Sequence, residues 1–138
     1  MKQRMIYITE QDMERLRELL RTAQDPTGKD RPYLETLRAE LDRATIVAQD
    51  AVTPDVVTMN TTLKVCDPDG GRVRDLTVVF PERASSLDGR TSVISPLGAA
   101  LLGFRAGDSV TFTTPIGPRT CKIVSVLYQP EAAGDLHL

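Results

Sequence analysis

Ser95-Pro96-Leu97-Gly98-Ala99-Ala100-Leu101-Leu102-Gly103, followed at once by Phe104-Arg105-Ala106-Gly107-Asp108-Ser109-Val110, is the stretch that decides how this chain folds. A Ser before a Pro marks a helix start. The hydroxyl accepts from the first free amides, and Pro suits the first turn, where its missing N–H costs nothing. Leu97, Leu101 and Ala100 give this short helix an apolar face. Gly103 suits the left-handed conformation that ends a helix. Gly107-Asp108 then turns the chain into a strand.

The flanks of this segment read as strand. Downstream, Val110–Thr114 and Thr120–Tyr128 form a closing hairpin around Pro115-Ile116-Gly117-Pro118. Upstream, Val57, Met59, Thr61, Leu63 and Val65 alternate with Thr58, Asn60, Thr62 and Lys64, the period of a half-buried strand. Asp67-Pro68-Asp69-Gly70 is a turn signal. Val73–Phe80 is a second strand ended by Pro81, and Thr91–Ile94 a short one after a loop. Residues 56–138 are therefore expected to form an antiparallel sheet domain with one short helix packed against it, within an α+β fold. The tail, residues 129–138, is expected to be extended.

The first third of the chain is helical in pattern. Thr9-Glu10-Gln11-Asp12 resembles a capping box with Asp in place of Glu. Met13, Leu16, Leu19, Leu20 and Ala23 recur at helical spacing, and Glu14, Arg15, Arg17, Glu18 and Arg21 form the solvated face. Pro26 and Gly28 break the pattern. A second helix begins near Asp30, its expected cap, with Pro32 in the first turn. Leu34, Leu37, Leu41 and Ala44 follow at coiled-coil steps. The short break predicts an antiparallel helical hairpin over residues 1–47. Its arms of about 14–16 residues would reach roughly 21–24 Å. Residues 48–55 read as a linker.

Composition narrows the function. The 138 residues suit one domain, or one domain with an appendage. Lys and Arg number 17 against 19 Asp and Glu, and residues 1–50 hold 9 of the basic and 10 of the acidic ones, so no basic stripe is set apart. Aromatics are 4% with no Trp, too few for a base-stacking platform. A protein contact is expected rather than direct sequence-specific nucleic-acid binding. Cys66, Cys121 and the single His137 are isolated, so no zinc site is expected, and the cysteines read as small buried groups of a cytoplasmic protein. The basic N-terminus lacks the apolar core of a secretory signal, and no run approaches a membrane span.

Three segments carry a resemblance: Asp55-Val56-Val57-Thr58-Met59-Asn60, the Ser95–Gly103 stretch with Gly107-Asp108-Ser109, and Tyr128-Gln129-Pro130-Glu131-Ala132-Ala133-Gly134-Asp135. On these the whole chain resembles the Rnk family, the regulators of nucleoside diphosphate kinase, which are relatives of the Gre transcription elongation factors. Thr91–Tyr128 looks like the end of a Gre factor as well. The resemblance implies an N-terminal antiparallel coiled coil and a C-terminal domain of FKBP-like fold. It implies that the C-terminal domain docks on bacterial RNA polymerase at the rim of the secondary channel. In Gre factors, acidic residues at the coiled-coil tip help hold a catalytic magnesium ion and stimulate cleavage of backtracked RNA.

The same resemblance assigns residues. Ser95 and Pro96, with Leu97, match the place where Gre factors touch the polymerase rim, and Ile94 stands where Gre factors can carry an Asp. Phe104 and Arg105 would extend that patch, an aromatic–Arg pair being suited to an interface. At the hairpin tip, Asp25 and Asp30 are the candidates for a metal-directed role. Asp-x-x-Glu, the Gre-like tip pattern, does not occur in residues 24–33, and Lys29 would oppose a cation. The expectation is therefore a polymerase-binding regulator that competes with Gre-type factors, with no catalytic residue, metal or cofactor of its own. The alternatives are stimulation of the polymerase's RNA cleavage through Asp25 and Asp30, and action on nucleoside diphosphate kinase. Prolyl isomerase activity, which the FKBP-like fold raises, needs an aromatic-walled pocket, and the sheet domain holds only Phe80, Phe104, Phe112 and Tyr128.

Overall fold

A computed structural model of the chain describes residues 5–29, 31–67 and 71–138. Strand β1 (Tyr7–Thr9) leads into helix α1 (Glu10–Thr22), and α2 (Arg31–Arg43) leads into β2 (Thr45–Val47). Thr9 caps α1 by accepting from the Asp12 N–H at 3.1 Å. Each helix has 13 residues, so the arms reach about 20 Å, slightly less than the pattern suggests. The expected cap at Asp30 lies outside the described residues. The sequence pattern misses β1 and β2, which pair in parallel, Ile8 opposite Ile46. Three-residue strands are too short to show a period.

The main sheet holds β3 (Thr62–Cys66), β4 (Val73–Val79), β5 (Arg90–Ser92), β6 (Ser109–Thr114) and β7 (Gly117–Tyr128), in the order β5-β4-β3-β7-β6. Helix α3 (Pro96–Leu101) packs on it, and α4 (Pro130–Ala133) follows β7. Two expectations are corrected. The sheet is mixed rather than antiparallel, because the chain passes through two 3-10 turns after β4 and returns β5 parallel to it. The tail is not extended. It forms α4, ends it at Gly134 (φ 81°), and is pinned by Gln129, whose Nε2 donates to the Thr53 and Val56 carbonyls at 2.8 and 2.9 Å.

The alternation from Val57 to Val65 marks buried positions in part: all five apolar-phase residues are buried, but so is Thr58 of the polar phase. The strand begins only at Thr62, however. Asn60 takes a left-handed φ of 66°, and Thr61 N–H closes a turn on the Thr58 carbonyl at 3.2 Å. The turn signal at Asp67–Gly70 falls mostly outside the described residues.

One buried cluster runs through the molecule. Met13, Leu16, Leu37 and Leu41 from the hairpin join Leu63, Val65, Leu76, Val78, Cys121 and Ile123 from the sheet, with Leu97, Ala99 and Leu101 of α3 and Leu102 just after it. Within α3 the buried alanine is Ala99, while Ala100, expected on the apolar face, is half-buried. A ladder of backbone bonds ties the base of the hairpin to the residues after α3: Tyr7 N–H to Gly103 O (3.0 Å), Gly103 N–H to Val57 O (2.8 Å), and Val57 N–H to Phe104 O (2.8 Å).

Candidate functional site

The start of α3 is built from three residues that bond to one another. Ser95 accepts from the Gly98 N–H through Oγ at 3.1 Å, and the same hydroxyl donates to the Ser92 carbonyl at 2.7 Å. The Ser95 N–H also reaches that carbonyl, at 3.0 Å, and the Ile94 N–H reaches Ser92 Oγ at 3.2 Å. Gly98 is required here by space. A Cβ would lie 2.8 Å from the Ser92 carbonyl carbon and closer still to its oxygen. Ser95 therefore does what its sequence context predicts, and it does so while half-exposed.

The six residues expected in the docking patch lie at the two ends of α3 and differ in exposure. Ile94, Ser95 and Pro96 are half-buried at the start of α3. Leu97 turns into the core at 9% exposure. Phe104 and Arg105 lie beyond the other end of the helix, about 9 Å along its axis. Phe104 is half-buried against the core, and Arg105 is exposed but engaged. Its Nε donates to Asp55 Oδ2 at 3.2 Å, and its backbone N–H donates to Asp108 Oδ2 at 2.9 Å. The hydrogen bond from Thr53 Oγ1 at 2.6 Å, and then Arg105 itself, hold the Asp55 carboxyl below its usual range. From Pro96, Ala99 and Ala100 a groove of about 420 Å³ opens between α3, the start of α2 and β6, and Tyr33 and Phe112 are among its lining residues.

At the hairpin tip, Asp25 is half-buried within a turn closed by Gly28 N–H on its carbonyl at 3.1 Å. Asp30 lies outside the described residues. Among the described residues no group of three or more His, Cys, Asp or Glu side chains is placed to hold a metal ion. No helix among them is long and apolar enough to cross a membrane. Cys121 is buried, and burial pushes its thiol up to about 11, which makes it a poor nucleophile at neutral pH. Cys66 is half-buried.

The sequence pattern misses a polar knot at the base of α1. Asp12, 1% exposed, accepts from the Met59 N–H at 3.0 Å and from Arg15 Nη2 at 2.5 Å. Arg15 also donates to the Leu138 carbonyl at 2.9 Å and lies 5.0 Å from the Phe80 ring centre. Burial raises the Asp12 carboxyl above its usual value, against these hydrogen bonds. In the sequence Asp12 has the position of a capping-box acid, and nothing local distinguishes that role from a tertiary one. An open cavity of about 680 Å³ lies beside this knot, lined in part by Arg15, Asn60, Phe80 and Arg83.

Known proteins resemble this chain along most of its length. Residues 52–128 match the model of the GreA/GreB transcription elongation factor C-terminal domain, and residues 4–47 match that of the Rnk N-terminus. The solved structure of a prokaryotic transcription elongation factor GreA/GreB from Nitrosomonas europaea superposes with a TM-score of 0.73 at 35% identity, covering 91% of this chain and 100% of that one. Transcription elongation factor GreA of Geobacillus kaustophilus is 33% identical over 93 residues, 67% of this chain and 59% of that protein. A GreA/GreB-type C-terminal domain carried behind a helical hairpin is thus the class that the fold and the family match define. Over 131 residues the chain is 40% identical to the regulator of nucleoside diphosphate kinase of Escherichia coli K12, covering 94% of each, and together with the match at its N-terminus this shows that it belongs to the Rnk family. These relatives are named as regulators and transcription factors, not as enzymes.

Proposed function

We propose that the chain is a non-enzymatic regulator that binds bacterial RNA polymerase at the rim of its secondary channel and competes there with Gre-type factors. The observation that carries this reading is the start of α3. Ile94, Ser95 and Pro96 are presented half-exposed on a helix whose next residues, Leu97, Ala99 and Leu101, are sunk in the core. A contact on such a support loses little conformational entropy on docking. Arms of about 20 Å support a hairpin too short for chemistry deep in the channel. The reading takes the sheet unit, residues 56–138, as FKBP-like, joined through 48–55 to the hairpin unit of residues 1–47, in a cytoplasmic protein.

The test is binding of the purified chain to core RNA polymerase, followed by displacement with a Gre factor. Binding in the micromolar range that a Gre factor abolishes is the expected result. Absence of binding at micromolar concentration removes the proposal. Ser95→Asp retains a capping oxygen but, as a carboxylate, cannot donate to the Ser92 carbonyl as the hydroxyl does. It adds a charge at the contact and should weaken polymerase binding at least tenfold while circular dichroism shows the fold retained. In the same preparation, backtracked RNA should stay uncleaved. Cleavage lost on Asp25→Ala would move the role to the hairpin tip.

A further inference from the structure

The two edges of the five-stranded sheet are treated differently. β5 is only three residues long and includes Arg90. Its outer side is closed by a bridge in which Ser85 N–H and Arg90 N–H each bond to the other's carbonyl at 2.9 Å. β6, the opposite edge, has six residues, Ser-Val-Thr-Phe-Thr-Thr, with no charge and no Pro. Its pairing with β7 runs without a register shift. Short strands, edge charges, prolines and bulges are the usual guards against edge-to-edge pairing, and β6 has none of them.

The register says which backbone groups face outward. Thr113 lies opposite Pro118, which has no N–H to give, so that pair is not hydrogen-bonded. In an antiparallel ladder bonded and unbonded pairs alternate. Ser109, Thr111 and Thr113 therefore turn their N–H and C=O groups away from β7. None of the turn, loop or cap backbone bonds among the described residues involves these three. The groove that Phe112 lines is bordered by the same strand, and no charged residue is among the described residues lining it.

An occupant of this edge needs an extended backbone with free N–H and C=O groups at alternate residues, apolar side chains between them, and no charge. β6 itself meets that description. We infer that two copies of the chain associate through β6, antiparallel and in register about a two-fold axis at Thr111, joining their sheets edge to edge. This register sets Ser109 against Thr113 of the second copy and Thr111 against Thr111. It closes about six N–H···O bonds, whereas a slip of two residues leaves about four, because Gly107 N–H is already bonded to Ile123 O and Pro115 has none. Val110 and Phe112 then face each other across the new seam, a favourable aliphatic–aromatic pair.

Sedimentation equilibrium of the full chain from micromolar to sub-millimolar concentration tests this. The expected result is a reversible monomer–dimer equilibrium. Thr111→Pro removes an outward N–H and no β6–β7 backbone bond, losing besides it only the exposed hydroxyl contact with Thr120, and edge positions facing solvent tolerate Pro. It should shift the dimer dissociation constant upward at least tenfold with the thermal transition of the dilute monomer preserved. Should Thr111→Pro fold poorly, Thr111→Lys, an edge charge, takes its place. Hydrogen exchange supplies a second readout: amides of Ser109, Thr111 and Thr113 should slow as concentration rises, while those of Val110 and Phe112 stay constant. A chain that remains monomeric throughout overturns the inference. So does a dimer indifferent to both substitutions, or one whose β6 amides exchange at an unchanged rate.

Discussion

The two ends of α3 are about 9 Å apart and are held in opposite ways. The Ser95 end is held by a side chain: one hydroxyl accepts from Gly98 N–H and donates to the Ser92 carbonyl. The Gly103 end is held by backbone, through bonds that continue to Val57 on one side and Tyr7 on the other. A side-chain cap leaves its neighbours half-exposed, and Ile94, Ser95 and Pro96 keep surface to offer. At the far end that surface is spent on the fold, Phe104 on the Val57 ladder and Arg105 on Asp55 and Asp108. The contrast favours residues 94–96 as the proposed docking patch and gives Arg105 a bracing role.

Gly98→Ala should break the Ser95 end most severely. The added Cβ meets the Ser92 carbonyl, a backbone group that cannot step aside. The expected cost is about 3 kcal/mol, a fall in Tm of roughly 10 °C. Calorimetry measures it, and a fall of only a degree or two would mean that the Ser92 turn is not rigid.

Gly103→Ala probes the other end. Gly103 has φ 84°, and a Cβ would lie 2.9 Å from Ile6 Cβ. Left-handed strain and the side-chain contact together should cost about 2 kcal/mol. The contact with Ile6 Cβ is a single one, with the Tyr7 backbone next at 3.3 Å, whereas at Gly98 the new Cβ runs into the Ser92 carbonyl itself, so the loss should be smaller than at Gly98. The reverse order would refute the assignment of the rigid end.

Ser95→Ala comes next. Loss of the cap should cost about 1 kcal/mol by thermal or urea unfolding. In polymerase binding the same substitution should be milder than Ser95→Asp, because it removes a hydroxyl without adding charge.

How much of this could be read from the chain follows the range of the forces involved. The cap at Ser95, the left-handed Gly103 and the buried phase of Val57, Met59, Leu63 and Val65 depend on near neighbours in sequence, and each was legible. So was the family resemblance. Asp12 was not, because the Met59 N–H that claims it is 47 residues away. Nor was the parallel return of β5, since two 3-10 turns leave no apolar period to follow. The start of α3 was legible as a capped segment, but which of its residues keep surface was not. Spacing places Leu97 and Pro96 side by side, and only packing shows that Leu97 is buried while Pro96 stays half-buried.

The smallest expected effect tests the brace itself. Asp55 is depressed below its ordinary value, first by the Thr53 hydroxyl and then by Arg105. A depressed carboxyl stabilises the fold above its unfolded value, here 3.8, and that contribution is lost as pH falls through the lower folded value. With 39% of the Asp55 side chain exposed, solvent screens the pair. Asp55→Asn should therefore cost no more than about 0.5 kcal/mol at pH 7, and the difference from the parent should vanish in strong acid. NMR titration of the Asp55 carboxyl separates the two causes. Thr53→Val should let it climb further toward 3.8 than Arg105→Ala does. If Arg105→Ala proves the larger, the guanidinium, rather than the hydroxyl turn, fastens this end of the helix. A further loss of polymerase binding in that variant would restore Arg105 to the docking surface.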